Sequence, residues 1–241
     1  MVNTIVYTYK TPQYQIYKET TNQKNWITKS IESARTLNYK IELYTNDSNF
    51  SNELDIDEIH LIDDEYELWD SFKIYVLENR LDSNYFLSDN DIIFKKRLPL
   101  NNSVDLYFDG TELYNWDWAY KTTMNYLKDN SVFDSIPFWK YDKIPVFNVG
   151  ILKINNSKLK DDYIFYWKKL HSIVKSHFGN IDKIFVTAII TQYLLTLLSE
   201  KDNYQSVHFT RNGKWTDSNN DFYNHYCGYL KIKNPPILNI I

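Results

Sequence analysis

Asp89 and Asp91 stand two residues apart at the end of a short apolar run, Tyr85-Phe86-Leu87, and a second run, Ile92-Ile93-Phe94, follows them directly. Carboxylates wedged between core-forming segments are costly to bury without a partner. A divalent cation would offset that cost, because Mg²⁺ and Mn²⁺ favour carboxylate oxygens and keep coordination places for substrate phosphates. The competing reading makes Ser88-Asp89-Asn90-Asp91 the surface turn of a hairpin, since Asn and Asp favour turns. The strand on the N-terminal side favours the cation, because ligand sites in open α/β sheets lie beyond strand C-terminal ends.

Two further stretches carry residue types that fit such a site. In the apolar run Pro145 to Asn155, Asn148 and Gly150 are out of place. Gly weakens a strand unless something must approach its backbone closely, and a buried amide needs partners. Substrate lying against this strand would account for both. Near the C-terminus, His225 is followed by Gly228 and Lys231. Histidine is a common metal ligand, Gly permits a sharp turn, and a Lys beyond that turn can neutralise a phosphate.

The elements that must position these residues follow from periodicity. Thr4 to Tyr9 alternates as a strand, Trp26 to Leu37 has helical spacing with Asn38 as its stop, and Lys40 to Tyr44 alternates again. Strand, helix and strand in that order make a βαβ unit and imply a parallel sheet. Glu58 to Ile62 is a weaker strand, and Glu67 to Arg80 is a helix on which Lys73 reads as a solvated charge. Val104 to Phe108 is a strand ending at Asp109-Gly110. Trp116 and Trp118, flanking Asp117, offer either a platform for a sugar ring or core packing. Lys158 to Phe178 is a long helix, and Gln205 to Phe209 is a short strand. Ile184 to Leu198 is a helix apolar nearly all round, hence buried, with Thr187, Thr191 and Gln192 on neighbouring faces. It falls short of the roughly 18–20 apolar residues of a membrane span.

Composition narrows the class. The 241 residues suit one large α/β domain, and 43% hydrophobic with 24% charged residues is ordinary for a globular chain. A formal charge of -4 with no basic stripe argues against a nucleic-acid partner. One cysteine, Cys227, excludes an internal disulfide framework and fits a reducing, cytoplasmic compartment, and Met1 to Lys10 lacks the features of a signal peptide.

The three stretches, in this order, resemble a glycosyltransferase of the GT-A type, in particular glycosyltransferase family 8, the glycogenin and lipopolysaccharide galactosyltransferase group. The family's Asp-x-Asp is matched by Asp89-Asn90-Asp91. Its Asn-x-Gly strand is similar to Phe147-Asn148-Val149-Gly150-Ile151-Leu152, and its His-x-x-Gly-x-x-Lys motif is matched by His225, Gly228 and Lys231. The acid-Gln pair of its late helix is half present, as Thr191-Gln192, and Ile232-Lys233 replaces the family's Pro-Trp. The likeness extends over most of the chain in layout but over few residues in motif.

The resemblance implies a single Rossmann-like domain over 1–241, with a mostly parallel central sheet flanked by helices. Residues 1–100 would be the nucleotide-binding half and 101–241 the acceptor half. It implies transfer of a sugar from a nucleotide-sugar donor, UDP-linked by inheritance, to a glycan, lipid-linked or protein acceptor, with retention. Asp89, Asp91 and His225 would hold Mn²⁺ or Mg²⁺. Lys231 would hold the leaving diphosphate with Gly228 beside it. Tyr7 and Thr8 would sit near base and ribose, Lys73 would reach the donor, and Asn148 and Gln192 would face the transferred sugar. Two other functions fit parts of the pattern: a nucleotidyltransferase that makes nucleotide sugars, disfavoured by Lys10-Thr11-Pro12-Gln13 where a Gly-rich loop is usual, and a non-catalytic glycan-binding protein.

Overall fold

The computed structural model describes residues 4–10, 23–48, 54–63, 68, 70–112, 117–141, 146–209 and 221–225. Strand β1 (Thr4–Tyr9), helix α1 (Gln23–Thr36) and strand β2 (Lys40–Thr45) form the expected βαβ unit. The helix ends where Asn38 adopts a left-handed φ of 58°, a conformation that Asn tolerates better than most residues. Then come β3 (Glu58–Leu61), α2 (Ser71–Asn79), β4 (Tyr85–Ser88), β5 (Ile92–Phe94), β6 (Leu106–Glu112), α3 (Asp117–Asp129), β7 (Val146–Ile154) and α4 (Ser157–Val174). Helices α5 (Lys183–Ala188) and α6 (Leu194–Lys201) are joined without a break by a π-helical turn, Ile189–Tyr193, and strands β8 (Ser206–His208) and β9 (Tyr223–His225) follow.

Seven strands make one sheet in the order β3-β2-β1-β4-β7-β6-β8. Parallel pairings join β3 to β2, β2 to β1, β1 to β4 and β6 to β8, while β7 runs antiparallel to both β4 and β6. The sheet is thus mostly parallel and flanked by helices, as expected. Alternation along β1 divides the core. Ile5, Tyr7 and Tyr9 face Ile27, Ile31 and Ala34 of α1, whereas Val6 faces the side covered by α2 and α4. The run Lys183–Lys201 is longer than the apolar stretch read from the sequence, and by length and composition alone it could cross a membrane. In this fold, 67% of its apolar window is buried inside the protein.

The competing hairpin reading falls, and one expectation about strands changes. Ser88-Asp89-Asn90-Asp91 does not close a hairpin, because β4 pairs with β1 and β7 whereas β5 pairs with β9 in a separate two-stranded sheet. Strand β6 does not end at Asp109-Gly110 but continues to Glu112 through an irregularity. Phe108 pairs with Leu152 and Gly110 with Asn148, so Val149, Gly150 and Ile151 all stand opposite Asp109 alone. Such bulges interrupt the ladder and re-aim side chains.

Candidate functional site

Strands β1 and β4 are neighbours, yet the chain leads from β1 outward to β2 on one side and reaches β4 on the other. That reversal is where open α/β sheets form a ligand crevice beyond their strand ends. The chain leaving β4 places Asp89 and Asp91 at this point. Helix α1 holds the segment from its own side: Ser30 donates from Oγ to the Ile92 carbonyl, and Ser33 Oγ accepts the Phe94 amide at 2.9 Å.

Strand β9 lies antiparallel to β5 and pairs His225 with Ile92. His225 Nε2 is thereby 3.3 Å from Asp91 Oδ1 and 3.8 Å from Asp89 Oδ2. One ligand atom from each of Asp89, Asp91 and His225 can be chosen so that all lie within 4.8 Å of one another. Two carboxylates and an imidazole at this spacing are a donor set for Mn²⁺ or Mg²⁺. A second group among the described residues, Glu42, Glu58 and His60, comes equally close. There, Lys40 reaches both glutamates, at 3.1 and 2.5 Å, and Arg80 pairs with Glu42, so the charges are already balanced by cationic side chains.

The end of the β4–β7 pairing supplies the fixings. One step beyond the Ser88–Ile151 pair, the Gly150 carbonyl accepts the Asp89 amide at 2.7 Å, and the Gly150 amide donates to Asn148 Oδ1 at 2.7 Å. The neighbouring Val149 carbonyl accepts from Lys73 Nζ at 3.1 Å. Sequence reasoning attributed Gly150 to an approaching substrate. What approaches it is the imidazole of His225, since a Cβ at Gly150 would stand 2.4 Å from its Cε1.

Lys73 is not the solvated charge expected of a helix lysine. It is 2% exposed, and its ammonium meets Asp89 Oδ1 at 2.6 Å and Asp70 Oδ1 at 3.5 Å. Burial works against its charge, but Asp70 and Asp89 outweigh burial and hold the ammonium above its ordinary pKa. Asp89 is displaced upward from the usual carboxylate range. Burial is the largest cause, Asp91 and Asp70 add to it, and Lys73 and His225 pull the other way. The two Asp89 oxygens are therefore divided, Oδ1 toward Lys73 and Oδ2 toward His225.

The other predicted site residues are distributed differently. Tyr7 offers no surface to a nucleotide. It is fully buried on the α1 face, and its hydroxyl meets Ser30 Oγ at 2.9 Å, so it supports the helix that holds β5. Thr8 is half-buried near the end of β1, paired with Tyr44. Gln192 is half-buried on the π turn, whose Thr191 carbonyl accepts from the Tyr163 hydroxyl at 3.1 Å and whose Thr191 hydroxyl accepts from Trp167 Nε1 at 3.2 Å. Gly228 and Lys231, and Trp116 of the aromatic stretch, lie outside the described residues.

Sequence reasoning missed Asp109. This carboxylate, 3% exposed, takes His225 Nδ1 on Oδ2 at 2.5 Å and the Tyr223 hydroxyl on Oδ1 at 2.5 Å. An acid directly after an apolar strand, followed by Gly, was the available signal, and it read as the end of the strand.

No protein-family model matches the sequence, and no curated protein does. Among solved structures, the chain is similar to the glycosyltransferase GlyE of Streptococcus pneumoniae TIGR4 and to the apo form of the same protein. Identity is 16% in both cases, with TM-scores of 0.42 and 0.41. The matches cover 85% and 86% of this chain and 45% of each solved chain, so the matched part is less than half the length of those proteins.

Proposed function

We propose that this chain is a metal-dependent glycosyltransferase of the GT-A kind, which moves a sugar from a nucleotide-sugar donor, a UDP-sugar, to an acceptor with retention of configuration. The observation that carries this reading is the meeting of Asp89, Asp91 and His225 at the switch point of the sheet, from segments far apart in sequence. The resemblance of the Asp-x-Asp, Asn-x-Gly and His-x-x-Gly-x-x-Lys stretches to glycosyltransferase family 8 supports the donor class and the stereochemistry.

Asp89, Asp91 and His225 would hold Mn²⁺ or Mg²⁺. Bound there, the ion supplies positive charge against the charge developing on a departing nucleoside diphosphate. Lys73 keeps one oxygen of Asp89 occupied and so leaves the other turned toward His225. Buried Lys73 does not meet the phosphates itself. Lys231, beyond Gly228, would be the cation for the diphosphate, and Asn148 and Gln192 would face the sugar.

The test is release of nucleoside diphosphate from a panel of UDP- and GDP-sugars, with and without acceptor sugars, in Mn²⁺ and in EDTA. Activity is expected in Mn²⁺, abolished by EDTA and by Asp91→Ala. Turnover that survives both would overturn the assignment, as would pyrophosphate release from a sugar phosphate plus UTP.

A further inference from the structure

We propose that Asp109 is the positioning residue for His225: it holds the Nδ1 proton, fixes the ring, and turns Nε2 toward the carboxylates of Asp89 and Asp91. This rests on the metal reading above and adds a residue to it.

Three observations carry the assignment. Asp109 Oδ2 is 2.5 Å from His225 Nδ1, although the two residues are 116 positions apart in sequence. A neutral imidazole has one N–H donor and one acceptor, so an Nδ1–H given to Asp109 places the lone pair on Nε2. That Nε2 is the nitrogen facing Asp91 at 3.3 Å. Asp109 is itself held, because Tyr223, two residues before His225 on β9, donates its hydroxyl to the other oxygen. One carboxylate thus grips β9 at two alternate side chains and sets both the ring and the strand that delivers it. Lastly, the place of Asp109 in β6 is shaped for this contact. Three residues of β7 stand opposite it, one of them Gly150, whose missing side chain leaves room for the ring. Carboxylates hydrogen-bonded to metal-binding histidines fix the tautomer and raise ligand basicity, and losing one typically weakens metal binding about 10–100-fold.

The experiment has two arms. Free Mn²⁺ is measured by electron paramagnetic resonance in titrations of the wild type, Asp109→Asn and Asp91→Asn. Asp109→Asn is expected to bind about 10–100-fold more weakly than the wild type. Affinity of Asp109→Asn within threefold of a metal-binding wild type would overturn the proposal. The second arm needs no metal and does not depend on how Asp109→Asn folds. The ¹⁵N imidazole signals of the apo wild type are recorded, with His225 assigned by its loss in His225→Gln. A proton on Nδ1, held in a hydrogen bond to Asp109, is expected. A ring with a proton on Nε2 and none on Nδ1 would overturn the assignment even if Asp109→Asn failed to fold. A wild type that binds no Mn²⁺ but carries the Nδ1 proton would sink the metal reading and leave the Asp109–His225 pairing standing.

Discussion

A Cβ added to Gly150 would lie 2.4 Å from Cε1 and 2.9 Å from Nδ1 of His225. Both atoms belong to a buried ring gripped by Asp109, so the ring has little room to retreat. Gly150→Ala is expected to destabilise the fold by about 1–3 kcal/mol, the usual range for overpacking. On the proposed metal site, it should also weaken Mn²⁺ binding roughly tenfold or more by displacing His225. Gly179→Ala is the control, because a Cβ there meets nothing within 4 Å. Calorimetric melting and Mn²⁺ titration of both variants check this. Equal behaviour of the two would mean that the ring adapts freely.

Asp91→Asn separates the chemistry of the site from its stability. Asp89, Asp91 and Asp109 surround one imidazole, and the negative charges of Asp91 and Asp70 help raise the pKa of Asp89. Removing one charge while keeping the shape relieves that crowding, so the metal-free variant is expected to melt no lower than the metal-free wild type. A ligand at a hundredfold its dissociation constant stabilises by about 2.7 kcal/mol. Mn²⁺ should therefore raise the melting temperature of the wild type and leave that of Asp91→Asn unmoved. A drop in the metal-free melting temperature of the variant would show that Asp91 holds the fold, whatever it does for an ion.

The three proposed ligands were legible because each breaks its surroundings: two acids interrupt an apolar run, and a histidine precedes a Gly and a Lys. Their convergence depends on β5 and β9 pairing outside the main sheet, and short strands of this kind do not announce their partners. Asp109 was hidden for a different reason. Its role depends on a jump in register between β6 and β7, and the pairing of two strands is not written in either one. Tyr7 could have been placed correctly from alternation alone, since it shares a face with Ile5 and Tyr9, both core residues. The π turn at Ile189–Tyr193 has no Gly or Pro to mark it. The Tyr163 and Trp167 bonds to Thr191 that hold it come from a helix earlier in the chain.

Lys73→Met tests the clamp on Asp89. The lysine stands between two carboxylates in a buried setting, and its loss leaves Asp70 and Asp89 without their cation. Breaking a buried ion pair from one side costs about 3–5 kcal/mol, far more than the pair contributes relative to apolar replacements. The sign with pH follows from the raised ammonium pKa. This stabilisation is fully present below the unfolded lysine pKa and fades only as pH climbs through the higher folded value. The gap between wild type and Lys73→Met in urea denaturation should therefore be flat through the neutral range. A difference under about 1 kcal/mol, the level of an exposed pair, would mean that Lys73 is solvated and free to meet a donor phosphate.

Lys153 provides a pH test outside the proposed metal site. It lies on β7 opposite Tyr107, is 3% exposed, and carries its ammonium 5.8 Å from the centre of the Phe86 ring. Burial lowers its pKa to about 8, and the charge of Asp82 recovers only part of the loss. In the unfolded chain the value is about 10.4. Below about pH 8 both states hold the proton, and the folded state bears the cost of a buried charge. From there to about 10.4 the unfolded chain keeps a proton that the folded chain has released, so this group makes stability rise with pH. Lys153→Met is therefore expected to be more stable than the wild type at neutral pH, by about 1–3 kcal/mol at the 1.36 kcal/mol that each pKa unit represents. That advantage should shrink as pH rises and be nearly gone at about pH 10.4. Urea midpoints for both proteins across this range measure the difference directly and cancel the titration of the other lysines and tyrosines. A wild type that is the more stable protein at neutral pH, or a gap that does not change with pH, would show that the Lys153 ammonium is solvated.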